Sequence, residues 1–317
     1  MPRPLHLILP FAHAVGFDAA RTTLANDLPM LRRLLARLRP GPLQTGDALN
    51  LSPPHERVHA QALGLAGTDG GMAWAAWERA QTGDSPGDAA WAWITPCHWH
   101  VARDHILMYP IDQLQLDEAD SRALLAAIAP YFEQDNIALT YVTPTRWLAR
   151  GEIFRALACA SLDRVEGRRV DDWLPRAAHA RTVRRLQQEM QMLLYTHAVN
   201  EARERVCLQP VNSFWVSGAG ALTPLVGGAP THLQIDDRLR GPALRAHEQD
   251  WVQAWRAIDA QALPPLLEAL AQGHAVTLTL CGERNARSWA APPAPPWWQR
   301  AARLLRPPSV AAVLEDL

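Results

Sequence analysis

Two short, largely apolar runs limit what this chain can fold into: Leu5 to Pro10 (LHLILP) near its start and Ala275 to Cys281 (AVTLTLC) near its end. Runs of this length and composition read as buried strands, and the second is of the type covered on both faces, which calls for helices on either side of the sheet. Helical periodicity supplies those helices. Asp27 to Leu38 carries leucines at helical spacing with arginines opposite. Pro54 to Leu65 starts behind a Pro-Pro pair, lines up Val58, Ala62 and Leu65, and ends in a glycine-rich stretch from Gly64 to Gly71. Arg181 to His197 aligns Val183, Leu186, Met190 and Leu193, and Trp251 to Leu270 reads as one further helix. The class that follows is α/β.

The middle of the chain has a different rhythm. Gly83 to Asp88 is rich in Ser, Pro, Gly and Asp and marks a loop and an expected unit boundary. Beyond it, Trp91 to Val101 and His105 to Tyr109 read as two strands around a polar turn, Glu118 to Glu133 as a helix, Ile137 to Thr143 as a strand, and Trp147 to Leu148 as another. This ββαββ order predicts a small antiparallel sheet backed by a helix. Val211 to Val216 reads as a strand ending at Gly218-Ala219-Gly220, and Pro292 to Pro296 as a loop before a last, arginine-bearing helix.

With 317 residues and 48% hydrophobic content, the chain can bury a large core and is expected to form two closely connected units. Its 31 basic residues nearly balance 32 acidic ones, so net charge gives no reason to expect nucleic-acid or membrane binding. Every one of the 31 is arginine, which excludes a Schiff-base lysine, a phosphate-loop lysine and a lysine general base. Cys97, Cys159, Cys207 and Cys281 have no paired spacing, and the opening apolar run is too short to span a bilayer and lacks a signal-like design. Reduced thiols in a cytoplasm are the expectation. The 13 tryptophans read chiefly as packing residues.

Two polar constellations stand out. His98 and His100 lie two apart, on one strand face, with Asp104 and His105 following; His98, His100 and Asp104 form a weak metal candidate, better read as a polar strand edge. His197, Asn200, Asn212 and Ser213 straddle a helix-to-strand junction and offer either a small polar ligand site or hydrogen bonds to buried backbone. Gly218 and Gly220 permit a tight turn but lack the rest of a dinucleotide fingerprint.

Three segments carry a resemblance: SPPHERVHAQALGL from Ser52, PCHWHVARDHILM from Pro96 and QMLLYTHAVNEARERVCLQPVNSFWVSGAG from Gln191. They resemble the RpfE-type regulatory proteins of proteobacteria, a group often described as cofactor-independent phosphoglycerate mutases. The resemblance spans about Leu5 to Gly220, and supports His98 and Asp104 as pattern positions, together with an Asn-x-x-Trp strand holding Asn212 and Trp215. More distantly, the order of elements is similar to the archaeal-type mutases of the alkaline-phosphatase superfamily. That implies an alkaline-phosphatase-like α/β core sheet flanked by helices, from residues 1–88 and 210–317, with residues 89–209 as an inserted α+β unit and its connecting helix.

An active member of that superfamily would hold two divalent metals, such as Mn or Zn, with aspartates and histidines around a Ser or Thr nucleophile. Here the metal-binding aspartate after the first strand is matched by Phe11. His55-Glu56 stands at the nucleophile's place and Gly282-Glu283 at that of a late Asp-His pair. Nearby Ser52 is better read as a polar residue at a helix start. The resemblance therefore implies a degenerate protein without cofactor that regulates by binding a protein partner or metabolite. An active metal-dependent mutase or phosphatase is the alternative, and an accessory protein of nucleic-acid metabolism the next.

Overall fold

The computed structural model describes residues 5–24, 26–176, 180–223, 232–291 and 309–317. The loop expected at Pro292 to Pro296 and the arginines of the expected last helix lie outside the described residues. In chain order the strands are β1 (Leu5–Leu9), β2 (Arg39–Gln44), β3 (Ala90–Cys97), β4 (Trp99–Val101), β5 (Ile106–Met108) and β6 (Ala138–Thr143). They continue with β7 (Arg146–Arg150), β8 (Ser213–Ala221), β9 (His232–Ile235), β10 (Val276–Cys281) and β11 (Ala286–Ala290). The chain divides into one unit of residues 1–49, 53–64 and 227–317 and another of residues 50–52 and 65–226.

The first unit is built on a five-stranded sheet of order β2-β11-β10-β1-β9. β1 runs parallel to both β10 and β9, while β11 is antiparallel to β10 and β2. The pleat sends Leu7 and Leu9 into a core with Leu31, Leu34, Trp251, Trp255 and Leu266, and sends Ile8 to the opposite face with Val58, Cys281 and Ala286. β1 thus packs against apolar side chains on both faces, with His6 its one polar residue. The region read as one helix from Trp251 to Leu270 is two, Glu248–Gln261 and Leu263–Ala271. Pro264 and Pro265 offer no N–H to a continuing helix and fit the start of a new one. β2, with Pro40 and Pro42, has no strand-like sequence and is tolerated because it lies at a sheet edge.

The second unit contains a four-stranded antiparallel sheet of order β6-β7-β3-β8. One face packs on the helices Glu118–Glu133 and Arg181–Tyr195 through Leu124, Ile128, Phe132, Leu186 and Met190. On the other, helix Trp74–Gln81 brings Ala75 and Ala76 against Trp91 and Trp93. The expected unit boundaries are corrected here. β8 pairs with β3 from Cys97 to Ala90, so it belongs to this sheet rather than to the core, and the loop at Gly83 to Asp88 lies inside the unit. The expected first hairpin is also altered: β3 pairs with β7 and β8, whereas β4 and β5 form a separate two-stranded sheet. The Asn212 side chain accepts from the Trp99 N–H at 2.7 Å and donates to the Trp99 carbonyl at 2.9 Å, drawing the chain out of the larger sheet just after Cys97.

Gly220 sits at φ 151°, and a Cβ added there would stand 2.8 Å from the Cβ of Ala73. The close approach of helix Trp74–Gln81 to β8 requires glycine at this position. Gly220→Ala is expected to destabilise the protein by about 2 kcal/mol, measured by urea unfolding followed through tryptophan fluorescence.

Candidate functional site

In open α/β sheets ligands gather beyond the carboxyl ends of parallel strands. In the first unit that place lies past Leu9, Ile235 and Cys281. Leaving β1, the chain turns through Phe11, a buried residue with φ 55°. The turn is pinned from two sides: Trp251 Nε1 donates to the Phe11 carbonyl at 2.9 Å, and the Ala12 N–H donates to the Cys281 carbonyl at 2.7 Å. The Phe11 ring packs against His55, with centroids 5.5 Å apart. His55 and Glu56 occupy the first turn of helix Pro54–Leu63. After β10, a Cβ at Gly282 would stand 2.5 Å from the Leu317 carbonyl oxygen, so this position admits no side chain without movement of the C-terminal turn. Glu283 follows, and its charge raises the affinity of His13 for a proton against the stronger opposing effects of burial and Arg21. Past β9, the buried Asp236 is matched by the Arg238 guanidinium, with contacts of 2.9 Å and 2.6 Å.

Phe11 and His55 are therefore brought together, and Gly282 lies one residue beyond the carbonyl that holds the Phe11 turn. Ser52 lies in the other unit; its hydroxyl accepts from the Gly70 N–H at 2.9 Å, while Asp69 accepts from the Ser52 N–H at 2.9 Å. It does not cap helix Pro54–Leu63, whose cap residue is Pro53.

A polar strip escaped the sequence reading. On the sheet face covered by helix Pro54–Leu63, His6 Nε2 is hydrogen-bonded to Thr279 Oγ1 at 2.8 Å, and Thr279 in turn to Ser288 Oγ at 2.7 Å. Burial lowers the pKa of His6 to about 4 and that of His59 to about 4, the latter helped by the neighbouring His55 and His6. The signal was present: His55-Glu56-Arg57-Val58-His59 reproduces the H-E-x-x-H spacing, which puts two histidines on one helix face. Among the described residues, however, no group of three or more His, Cys, Asp or Glu side chains is arranged to hold a metal ion. The two-metal centre implied by the resemblance does not fit the residues at these strand ends, where an aromatic ring and a glycine stand.

The second unit holds the remaining candidates. His98 donates from Nδ1 to the Pro210 carbonyl at 2.8 Å, and its ring lies 6.3 Å from that of the exposed His100 and 6.0 Å from Tyr109. Burial lowers the His98 pKa, a shift opposed by the Pro210 carbonyl. Asp104 is exposed and pairs with its neighbour His105 at 2.7 Å, which lowers its pKa. Asn200 is buried and committed to backbone: its amide donates to Leu194 and Val211 carbonyls at 2.8 Å and 2.7 Å, and its oxygen accepts from the Val211 N–H at 2.8 Å. His197 caps helix Ala198–Arg205, accepting from Val199 at 3.3 Å. Trp215 donates to the Ala160 carbonyl at 2.9 Å. Ser213 is buried, and its hydroxyl has no hydrogen-bond partner among the described residues. Gly218, at φ 60°, lies where a Cβ would meet Trp74 at 3.0 Å. Of these, Asn200 and His197 are spent on holding the junction between helix and strand.

Among the described residues no helix is long and apolar enough to cross a membrane. Among solved structures the chain is similar to the cofactor-independent phosphoglycerate mutase from Thermoplasma acidophilum, at 15% identity and a TM-score of 0.38, with 99% of each chain covered. It is also similar to the PH0037 protein from Pyrococcus horikoshii, at 11% identity and a TM-score of 0.46, covering 92% of this chain and 88% of that one. No protein-family profile and no curated protein sequence matches it.

Asn200→Ala leaves three buried backbone groups without their partner and is expected to cost about 3 kcal/mol in urea unfolding. His6 and His59 are held neutral in the folded unit, while unfolded histidine titrates near 6.5. Their contribution to stability is complete above pH 6.5 and is lost as pH falls from there to about 4. Thermal melting from pH 7.5 down to pH 5 is expected to show a decline in midpoint that His59→Gln makes shallower.

Proposed function

We propose that this chain is a catalytically degenerate relative of the cofactor-independent phosphoglycerate mutases, of the RpfE type, that works in a bacterial cytoplasm by binding a protein partner or a small metabolite. The observation supporting this reading is the contact between Phe11 and His55 at the end of β1. The resemblance assigns these two places to a metal-binding aspartate and a hydroxyl nucleophile. A phenyl ring supplies no metal ligand. An imidazole at the nucleophile's place offers a nitrogen rather than the hydroxyl through which this lineage transfers phosphate. Phosphoryl transfer relies on positioned positive charge to stabilise its transition state, so changes at both places remove the source of catalysis and not merely an increment of it.

The backbone supports the same conclusion. Phe11 is fixed through its carbonyl by Trp251 with its ring in the apolar core, and at Gly282 an added Cβ would collide with Leu317, so the first place is given to packing and the second has no room for a ligand side chain in this arrangement. The nucleic-acid alternative needs a free arginine stripe beside exposed tryptophans. Several arginines next to tryptophans are already stacked, with Arg146 3.7 Å above Trp93 and Arg79 4.5 Å above Trp91, and both rings are buried.

Purified full-length protein, incubated with Mn or Zn and then dialysed, is expected to retain less than one equivalent of metal by mass spectrometry and to leave 3-phosphoglycerate unconverted. Two retained equivalents together with turnover to 2-phosphoglycerate would overturn the proposal in favour of an active enzyme.

A further inference from the structure

We infer that β6 is a self-pairing edge, through which two copies of this chain associate by joining their four-stranded sheets across a two-fold axis. β6 is the terminal strand of the order β6-β7-β3-β8, and β7 is its sole strand partner among the described residues. In an antiparallel ladder, an edge strand turns alternate N–H and C=O groups outward, and proteins ordinarily blunt such an edge with proline, charge, glycine kinks or brevity. The other sheet edges carry these devices. β2 has Arg39, Pro40 and Pro42; β9 is four residues long; β8 is interrupted by Gly218 and Gly220 at positive φ and by a register shift.

β6 carries little of this. Ala138-Leu139-Thr140-Tyr141-Val142-Thr143 contains no charge and no proline, and the neutral stretch extends from Ile137 to Thr145. Ala138, Thr140, Val142 and Thr143 are exposed, Val142 at 45%. Its irregularity, between Tyr141 and Thr143, lies at the turn end and leaves the centre of the strand regular.

The sequence of the strand favours a second copy as the occupant. Joining two sheets with their helix-covered faces on the same side requires residues of like parity to oppose one another. Centring the axis on Thr140 sets Thr140 against Thr140, Leu139 against Tyr141 and Ala138 against Val142. Leu139 and Tyr141 both pack on the helix-covered core, so the new pairs extend that face, and a Thr–Thr pair flanked by aliphatic–aromatic pairs is a favourable antiparallel set. Neutrality permits this: a charge at position 140 would meet its own copy on the axis, a charge elsewhere in the strand would be buried in the seam opposite a neutral residue, and this strand has none. Arg122, stacked 3.8 Å above Tyr141, is matched to Glu118 at 2.8 Å and brings no unbalanced charge to the seam.

The test uses the full chain in a Cys207→Ser background, because Cys207 is the exposed cysteine and Cys97, Cys159 and Cys281 are buried. Sedimentation over rising concentration is expected to show a monomer–dimer equilibrium that Thr140→Lys shifts at least tenfold toward monomer, with the melting temperature of the monomer unchanged. Under mild oxidation, Thr140→Cys is expected to form a covalent dimer readily. Val142→Cys is not, since the register separates the two copies of residue 142 by about 13 Å along the strands. A protein that stays monomeric at every concentration, a dimer insensitive to Thr140→Lys, or equal cross-linking of the two cysteine variants would each overturn the proposal.

Discussion

The pairing of β1 with β10 is the constraint on which the first unit depends. It joins a strand at the beginning of the chain to one near its end, in parallel, from Leu5 opposite Val276 to Leu9 opposite Leu280. Such a contact carries a large loop-closure cost and has to be offset by burial. That burial comes from Leu7 and Leu9 on one face, beside the fully buried Trp251 and Trp255, and from Ile8 on the other. The same pairing sets the position of the strand ends. Because β1 and β10 finish side by side, the Ala12 N–H meets the Cys281 carbonyl, and the two turns that follow are held next to each other.

Those turns are filled by packing. Phe11 belongs to the core cluster that contains Trp251, Leu314 and Leu317. The C-terminal turn adds to this through Asn285, which donates from its backbone N–H to the Leu317 carbonyl at 3.1 Å and from its amide to the Asp316 carbonyl at 3.0 Å. Beyond the carboxyl ends of β1 and β10 stand the Phe11 ring, the Gly282 turn and the Leu317 carbonyl. In the second unit the polar residues that stood out are likewise committed: Asn200 to the two ends of the helix-to-strand junction, Asn212 to Trp99, and His98 to Pro210.

The elements legible in the sequence were those whose residues declare their own surroundings. β1 and β10 were recognisable because burial on both faces selects short, largely apolar runs, and Pro54–Leu63 because proline opens it and Gly64, at φ 72°, closes it. The elements that were missed depend on distant partners. β2 is proline-rich and becomes a strand only because β11 is there to pair with it. β8 was placed in the wrong unit because its alternation is compatible with any sheet, and its pairing with β3 is decided by helix Trp74–Gln81 fitting over its glycines. The buried link from His6 through Thr279 to Ser288 joins three strands, and no local pattern announces it. Phe11, His55 and Gly282 were found from resemblance, whereas their surroundings came from the structure alone.

Under the proposed reading, the changes at these three places are coupled through packing. An aspartate in place of Phe11 would put a carboxylate into a cluster of leucine and tryptophan side chains. A side chain in place of Gly282 would displace the Leu317 carbonyl, and with it the contacts Asn285 makes to the C-terminal turn. A hydroxyl in place of His55 would remove the ring that covers Phe11. Each reversion alone therefore costs stability and restores no metal site, because the other two positions still withhold their ligands. Residues in mutual contact do not act additively, and a chain that has replaced a charged centre with packing of this kind has no single-step path back.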